Sequence, residues 1–247
     1  MRYFIELQYK GTYYHGWQKQ PNASTVQTCL EKALSIYLRQ DILTTGSGRT
    51  DTGVHAHLQV AHFDYDGDLE GKETTYRINA LLPNDIVVNT IYGVSKDAHA
   101  RFSPYARAYQ YFLSDKRSPF RQELCYFFPK TLDFDLMNEA GKLLCQYSDF
   151  ESFSKVNTSV NTFECKVVEA YWRQENETAI FYIKADRFLR GMVRAIVGTL
   201  LEIGIGKMSL AQFENIIQQK NRKAAGRAVP AEGLFLWEVN YPQEVKT

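Results

Sequence analysis

One order of strand and helix patterns runs through this chain twice, and few folds accommodate it. Arg2 to Tyr9 sets Tyr3, Ile5, Leu7 and Tyr9 against Arg2, Glu6 and Gln8, the period-two alternation of a strand with one buried face. Ser24 with Gln27 three residues on reads as a capping box, and Val26, Cys29, Leu30, Ala33, Leu34 and Tyr37 recur behind it at helical spacing. A short strand near Asp41 to Thr45, a strand from Gln59 to Tyr65, a helix from Thr74 to Leu82 ended by Pro83 and a strand from Ile86 to Val94 complete a β-α-β-β-α-β unit. Beyond Lys96 to Arg101 the order returns. Ala108 to Leu113 is strand-like, Asp135 to Cys145 helical, and Val167 to Arg173 with Thr178 to Ala185 forms a hairpin pattern. Phe188 to Ile203 follows as an amphipathic helix stopped by Gly204, then a capping box at Ser209 and Gln212, then a strand from Leu234 to Tyr241. The expected fold is therefore α/β (α+β): two tandem ferredoxin-like split βαβ units, residues 1–100 and 101–247, side by side on a mostly antiparallel sheet with a central cleft.

Between the second and third strand patterns lies Gly46-Ser47-Gly48-Arg49-Thr50-Asp51-Thr52-Gly53-Val54-His55. Its three glycines permit positive φ and close backbone approach, so it reads as a tight loop around a ligand. Arg49 and Asp51 are two residues apart, and in an extended loop both side chains leave on one side. A cation there suits a polyanion, and the carboxylate suits a nucleophile. An Asp among Gly and Thr also serves commonly as a turn former bonding its own backbone, and the loop alone leaves both readings open.

At 45% apolar and 23% charged residues the chain belongs with ordinary globular proteins, and a net charge of +1 over 247 residues announces no polyanionic partner. The charge is unevenly spread, however. Arg101, Arg107, Lys116, Arg117, Arg121 and Lys130 outnumber the acids of their segment, and a second cation-rich stretch runs from Lys184 to Arg227. Phe102, Tyr105, Tyr109, Tyr111 and Phe112 interleave with the first. Cations with stacking rings suit single-stranded or extruded nucleotides, while a solvated basic surface over a Tyr-rich core has the same composition. Cys29, Cys125, Cys145 and Cys165 show no CxxC spacing, so reduced, mostly buried thiols are expected. The N-terminus runs straight into a strand pattern and no apolar run reaches membrane length, which places the chain in the cytoplasm. His55, His57 and His62 contain a His-x-His spacing that metal hydrolases use, but no HExxH or acidic cluster completes a shell. No metal is expected, and polar packing is the expected role of these histidines.

Six ordered motifs carry a likeness to a known family: Tyr13-Tyr14-His15-Gly16-Trp17-Gln18, Gly48 to His55, His99-Ala100-Arg101-Phe102, Ala106-Arg107-Ala108-Tyr109-Gln110-Tyr111, Phe188-Leu189-Arg190-Gly191-Met192-Val193-Arg194 and Ala231-Glu232-Gly233-Leu234. Along nearly its whole length the sequence resembles the tRNA pseudouridine synthase A family. It departs at Gln110, where some members carry a basic residue, and in its short tail after Pro242. The resemblance implies isomerisation of uridine to pseudouridine at positions 38, 39 and 40 of the tRNA anticodon stem and loop, by base flipping and without a cofactor. It makes Asp51 the catalytic nucleophile, Arg194 its ion-pair partner and Tyr109 the ring stacked on the target base. Arg49 would fill the space the base vacates, and His99, Arg101 and Phe102 would contact the RNA. It also implies a homodimer. Two other classes stay beside it: a noncatalytic tandem RNA-recognition module, and a metal-dependent hydrolase using His55, His57 and His62.

Overall fold

The computed structural model describes residues 1–156 and 161–245. Lys246, at the end of the tail, lies outside the described residues. Two compact units make up the chain, Met1–Ala106 with Phe235–Thr247, and Arg107–Leu234. The first holds β1 (Arg2–Tyr9), α1 (Val26–Leu38), β2 (Thr45–Gly46), β3 (His55–Asp64), α2 (Gly71–Asn79) and β4 (Ile86–Val94). The second holds β5 (Ala106–Ser114), β6 (Tyr126–Phe127), α3 (Phe134–Leu144), β7 (Val167–Glu175), β8 (Thr178–Ala185), α4 (Met192–Gly204) and α5 (Leu210–Gln219), and β9 (Leu234–Asn240) closes the chain. The described residues thus form the expected mixed α/β fold with mostly antiparallel pairing.

In the first unit β1 pairs antiparallel with β4 on one side and β3 on the other. β9 adds to β3 in parallel, through His55 opposite Phe235 and Ala56 opposite Leu236. That pairing is why the last strand counts with the first unit, whereas the sequence reading assigned everything after residue 100 to the second. Being central, β1 buries most of both faces and not one, leaving Gln8 near its end exposed. Ile5 and Leu7 are fully buried, and so is Phe4, which packs against His62, Tyr92 and Tyr241.

Several boundaries differ from the sequence reading, each for a local reason. The cap of α1 is Thr25, whose side chain accepts from Thr28 N, and not Ser24. Gln27 closes no capping box because its amide is buried, donating to Thr44 O (2.8 Å) and Glu31 Oε1 (3.0 Å). The second helix ends at Asn79, whose side chain both donates to Val88 O and accepts from Val88 N, three residues before the expected Leu82.

In the second unit β8 pairs antiparallel with both β5 and β7. The apolar stripe from Phe188 does not make one helix: Phe188 and Leu189 are irregular, Arg190 and Gly191 form a turn in which Gly191 takes φ 72°, and α4 starts at Met192. The residue stopping that helix is Gly206 (φ 73°), not Gly204, which is still helical. The capping box of α5 is present as expected, Ser209 N donating to Gln212 Oε1 and Gln212 N to Ser209 Oγ. Gln110, the departure on β5, is 3% exposed and sits in the core. Of the four thiols only Cys165 is buried; Cys29 and Cys125 are half-buried and Cys145 is exposed, contrary to the expected burial. Among the described residues no helix is long and apolar enough to cross a membrane.

Candidate functional site

The glycine loop is held from three sides of the first unit. From β3, Val60 O accepts from Ser47 N (2.7 Å), Gln59 Oε1 accepts from Ser47 Oγ (2.5 Å), and Gln59 Nε2 donates to Gly48 O (2.9 Å). From β1, the Tyr9 hydroxyl bonds Thr50 Oγ1 at 2.8 Å in a buried contact. From the aromatic segment, Trp17 N donates to Thr50 O (3.4 Å) and Tyr14 O accepts from Gly53 N (3.2 Å). Two glycines permit this approach. Gly16 has φ +84°, and a Cβ there would stand 2.2 Å from Thr50 O; a Cβ on Gly46 would stand 2.3 Å from Trp17 Nε1. The aromatic segment is therefore a clamp on the loop.

Within the clamp the chain alternates. Thr50 turns inward to Tyr9, Arg49 is exposed, and Asp51 is half-buried. Asp51 also opens a backbone turn, its main-chain carbonyl accepting from Val54 N (3.1 Å). It is the one carboxylate between Gly46 and His55.

Arg101 and Phe102 stand on a turn of the same unit whose peptide groups are tied down by side chains. His99 Nδ1 accepts from Arg101 N (3.1 Å) and Phe102 N (3.3 Å), and Ser103 Oγ accepts from His99 N (2.9 Å). His62 Nδ1 accepts from Ala100 N (3.1 Å), Tyr241 donates its hydroxyl proton to Ala100 O (2.7 Å), and Arg2 donates to Ala98 O (3.0 Å). What this scaffold presents is Phe102, 73% exposed, with the Arg101 guanidinium 5.4 Å from its ring centre, and Tyr105 beyond. Burial, with Arg2 and His99 beside it, pushes His62 down to about 4, and burial with Arg2 and Arg101 lowers His99 as well.

Tyr109 and Arg194 belong to the second unit. Tyr109 lies on β5 opposite Ile183, its ring edge-on to Phe188 at 5.0 Å and 86°. Arg194 is in the first turn of α4, where Nε donates to Val229 O (2.7 Å) and its own carbonyl accepts from Val229 N (3.1 Å). The segment leading to Val229 can lie so close because the helix carries glycine at 198; a Cβ there would be 1.8 Å from Arg227 O. Arg194 is consequently fixed, not a solvent-facing arginine on a helix.

The three histidines that suggested a metal have separate partners. His55 Nδ1 accepts from Gly11 N (2.9 Å) and its ring stacks on Phe235; His57 stacks on Trp237; His62 is edge-on to His99. Among the described residues no group of three or more His, Cys, Asp or Glu could hold a metal. Sequence reasoning missed Tyr9 and Gln59 as braces of the loop. The one signal for them was polar groups at buried strand positions, which need partners.

Comparison with known proteins gives one answer. A family model described as tRNA pseudouridine synthase matches residues 7–103 and 144–242. A protein of Bacteroides fragilis named tRNA pseudouridine synthase A is 53% identical over 246 residues, covering 99% of this chain and 98% of the relative. Proteins of the same name from Parabacteroides distasonis and Bacillus subtilis are 50% and 39% identical, covering 99% and 98% of this chain and 97% and 99% of theirs.

Proposed function

The chain belongs to the tRNA pseudouridine synthase family, and we propose that it isomerises uridine to pseudouridine at positions 38, 39 and 40 of tRNA with Asp51 as the reacting carboxylate. The observation that carries this reading is the clamp. A single half-buried carboxylate sits in a loop held by Tyr9, Gln59 and the Gly16-Trp17 segment, the rigid placement that covalent catalysis needs.

The chemistry asks little else of the protein. The N1–C1′ bond breaks, the uracil turns, C5 bonds to C1′, the C5 proton leaves and N1 ends protonated, so no external reactant is consumed. A carboxylate beside the ribose serves by attacking C1′, or by taking the C2′ proton to leave a glycal and returning that proton to C2′ as C5 bonds to C1′; both routes use Asp51. Extruding the uridine costs a few kcal/mol, which the Arg101 and Phe102 turn offsets through phosphate and stacking contacts. Arg49, exposed beside Asp51, fills the vacated place in the stack. Tyr109 stacks on the extruded uracil, and Arg194 supplies the counter-charge for the reacting carboxylate, a role that fits a guanidinium already oriented by Val229. The working unit is a homodimer in the cytoplasm, with its tRNA.

The test is to incubate the protein with unmodified tRNA transcript and map pseudouridine at single-base resolution. Wild type is expected to modify positions 38 to 40. Asp51→Asn, which keeps the volume and deletes the nucleophile, is expected to bind tRNA and make none. Residual pseudouridine from that variant would end the Asp51 reading, and tRNA binding without any product from wild type would favour the noncatalytic module.

A further inference from the structure

His57 and Trp237 form a feature that the family motifs do not include. Their rings stack with centres 4.0 Å apart and planes 20° from parallel, His57 exposed and Trp237 half-buried beneath it. An irregularity in β3 puts them there. Leu7 of β1 stands opposite Gln59 and Tyr9 opposite Ala56, so a two-residue step on β1 spans three residues on β3. In regular pairing His57 would face Tyr9 and share its buried side. The extra residue gives that place to Ala56 and turns His57 to the other side, that of the exposed Gln8. There its ring meets that of Trp237, one residue beyond the parallel pairs that join His55 to Phe235 and Ala56 to Leu236.

The position matters because β3 leaves the Asp51 loop directly. His57 is three residues beyond Val54, about 10 Å along the strand. When a target nucleotide is extruded, its neighbour loses a stacking partner, and a flat ring of any kind restores one, because every base has a π face. An exposed imidazole backed by an indole offers such a face, and the exposed Arg49 supplies a cation in the same unit. We propose that the His57–Trp237 stack is a second base platform of the tRNA site, holding a nucleobase that neighbours the extruded uridine. This rests on the reading of the chain as a tRNA-modifying enzyme.

Two readouts decide it. Trp17 and Trp172 are 1% and 4% exposed, so Trp237 is the tryptophan a bound base can reach. Titrating tRNA is expected to quench emission in wild type and in Asp51→Asn, and the quench is expected to vanish in Trp237→Phe. His57→Ala is expected to raise KM for tRNA about fivefold or more, with His57→Phe, which keeps a ring on the indole, restoring it. A wild-type KM for His57→Ala, or an undiminished quench in Trp237→Phe, overturns the platform. The quench reads binding alone, so it decides the platform even if wild type makes no pseudouridine, a result that would bring down the proposed function separately.

Discussion

Lowering the pH from 7.5 to 5 should weaken the first unit chiefly through His62, with the neighbouring His99, also lowered by burial, acting in the same direction. Its Nδ1 accepts from Ala100 N, so the neutral ring carries its proton on Nε2, and a second proton must displace Ala100 from Nδ1. The groups facing it are Arg2 and His99, which oppose the charge, and Asp64, which favours it but is tied to Arg2 at 2.8 Å. Burial is the largest cause, and the folded value falls to about 4 from the ordinary 6.5. With the folded value below the unfolded one, the unfolded chain binds more protons between the two. Stability is therefore full above about pH 6.5 and lost as pH falls towards 4. At pH 5 those two values give a loss of about 2 kcal/mol relative to pH 7.5. The residue is only 7% exposed, so solvent screening discounts this little. Asp64 is held below its usual 3.8 by Arg2 and titrates outside this window. The assay is urea unfolding at pH 7.5, 6 and 5 for wild type and His62→Asn, which keeps an acceptor near Nδ1 and does not titrate. Wild type should lose about 2 kcal/mol more than the variant over that range, and affinity for tRNA should fall in parallel because Ala100 leads into the Arg101–Phe102 turn. Parallel pH profiles for the two proteins would refute the reasoning.

Other perturbations test other parts. Gly16→Ala puts a methyl group 2.2 Å from Thr50 O at φ +84°, so the Asp51 loop must shift; single-turnover rates should fall about 10²-fold with tRNA binding less affected. Arg101→Ala should lower the slope of log affinity for tRNA against log salt by about one unit, measured by filter binding. Tyr109→Leu should slow the chemical step severely by removing the ring, whereas Tyr109→Phe should cost about 10²-fold only if the hydroxyl moves a proton; equal rates for Phe and wild type across a pH series would leave the residue a platform. Activity should survive exhaustive EDTA treatment with the tRNA kept folded, and loss restored by Zn²⁺ alone would revive the hydrolase reading of His55, His57 and His62.

What the sequence makes legible here is what a few neighbouring residues decide among themselves. The capping box of Ser209 and Gln212 is one such case, and so are the spans of β1 and β4, because cap chemistry and strand alternation are local. The Asp51 loop is legible as a loop for the same reason, its glycines being poor elsewhere. Its clamp is not legible: Tyr9, Gln59 and Gly16 reach it from other segments, and nothing near Tyr9 announces a bond to Thr50. Periodicity also misleads where a turn is apolar. The stripe through Phe188 and Met192 continues across a glycine whose positive φ breaks the helix, so the pattern is right about burial and wrong about conformation. His57 is the sharpest case. Its spacing from His55 suggested a shared ligand, yet its surroundings depend on one extra residue between Gln59 and Ala56 and on a strand that arrives 180 residues later in the chain. Remove that residue, and the alternation of β3 would carry His57 into the core beside Tyr9. Whether the ring is a core residue or a face offered to RNA is thus decided by strand register, and no window of sequence around His57 contains the register.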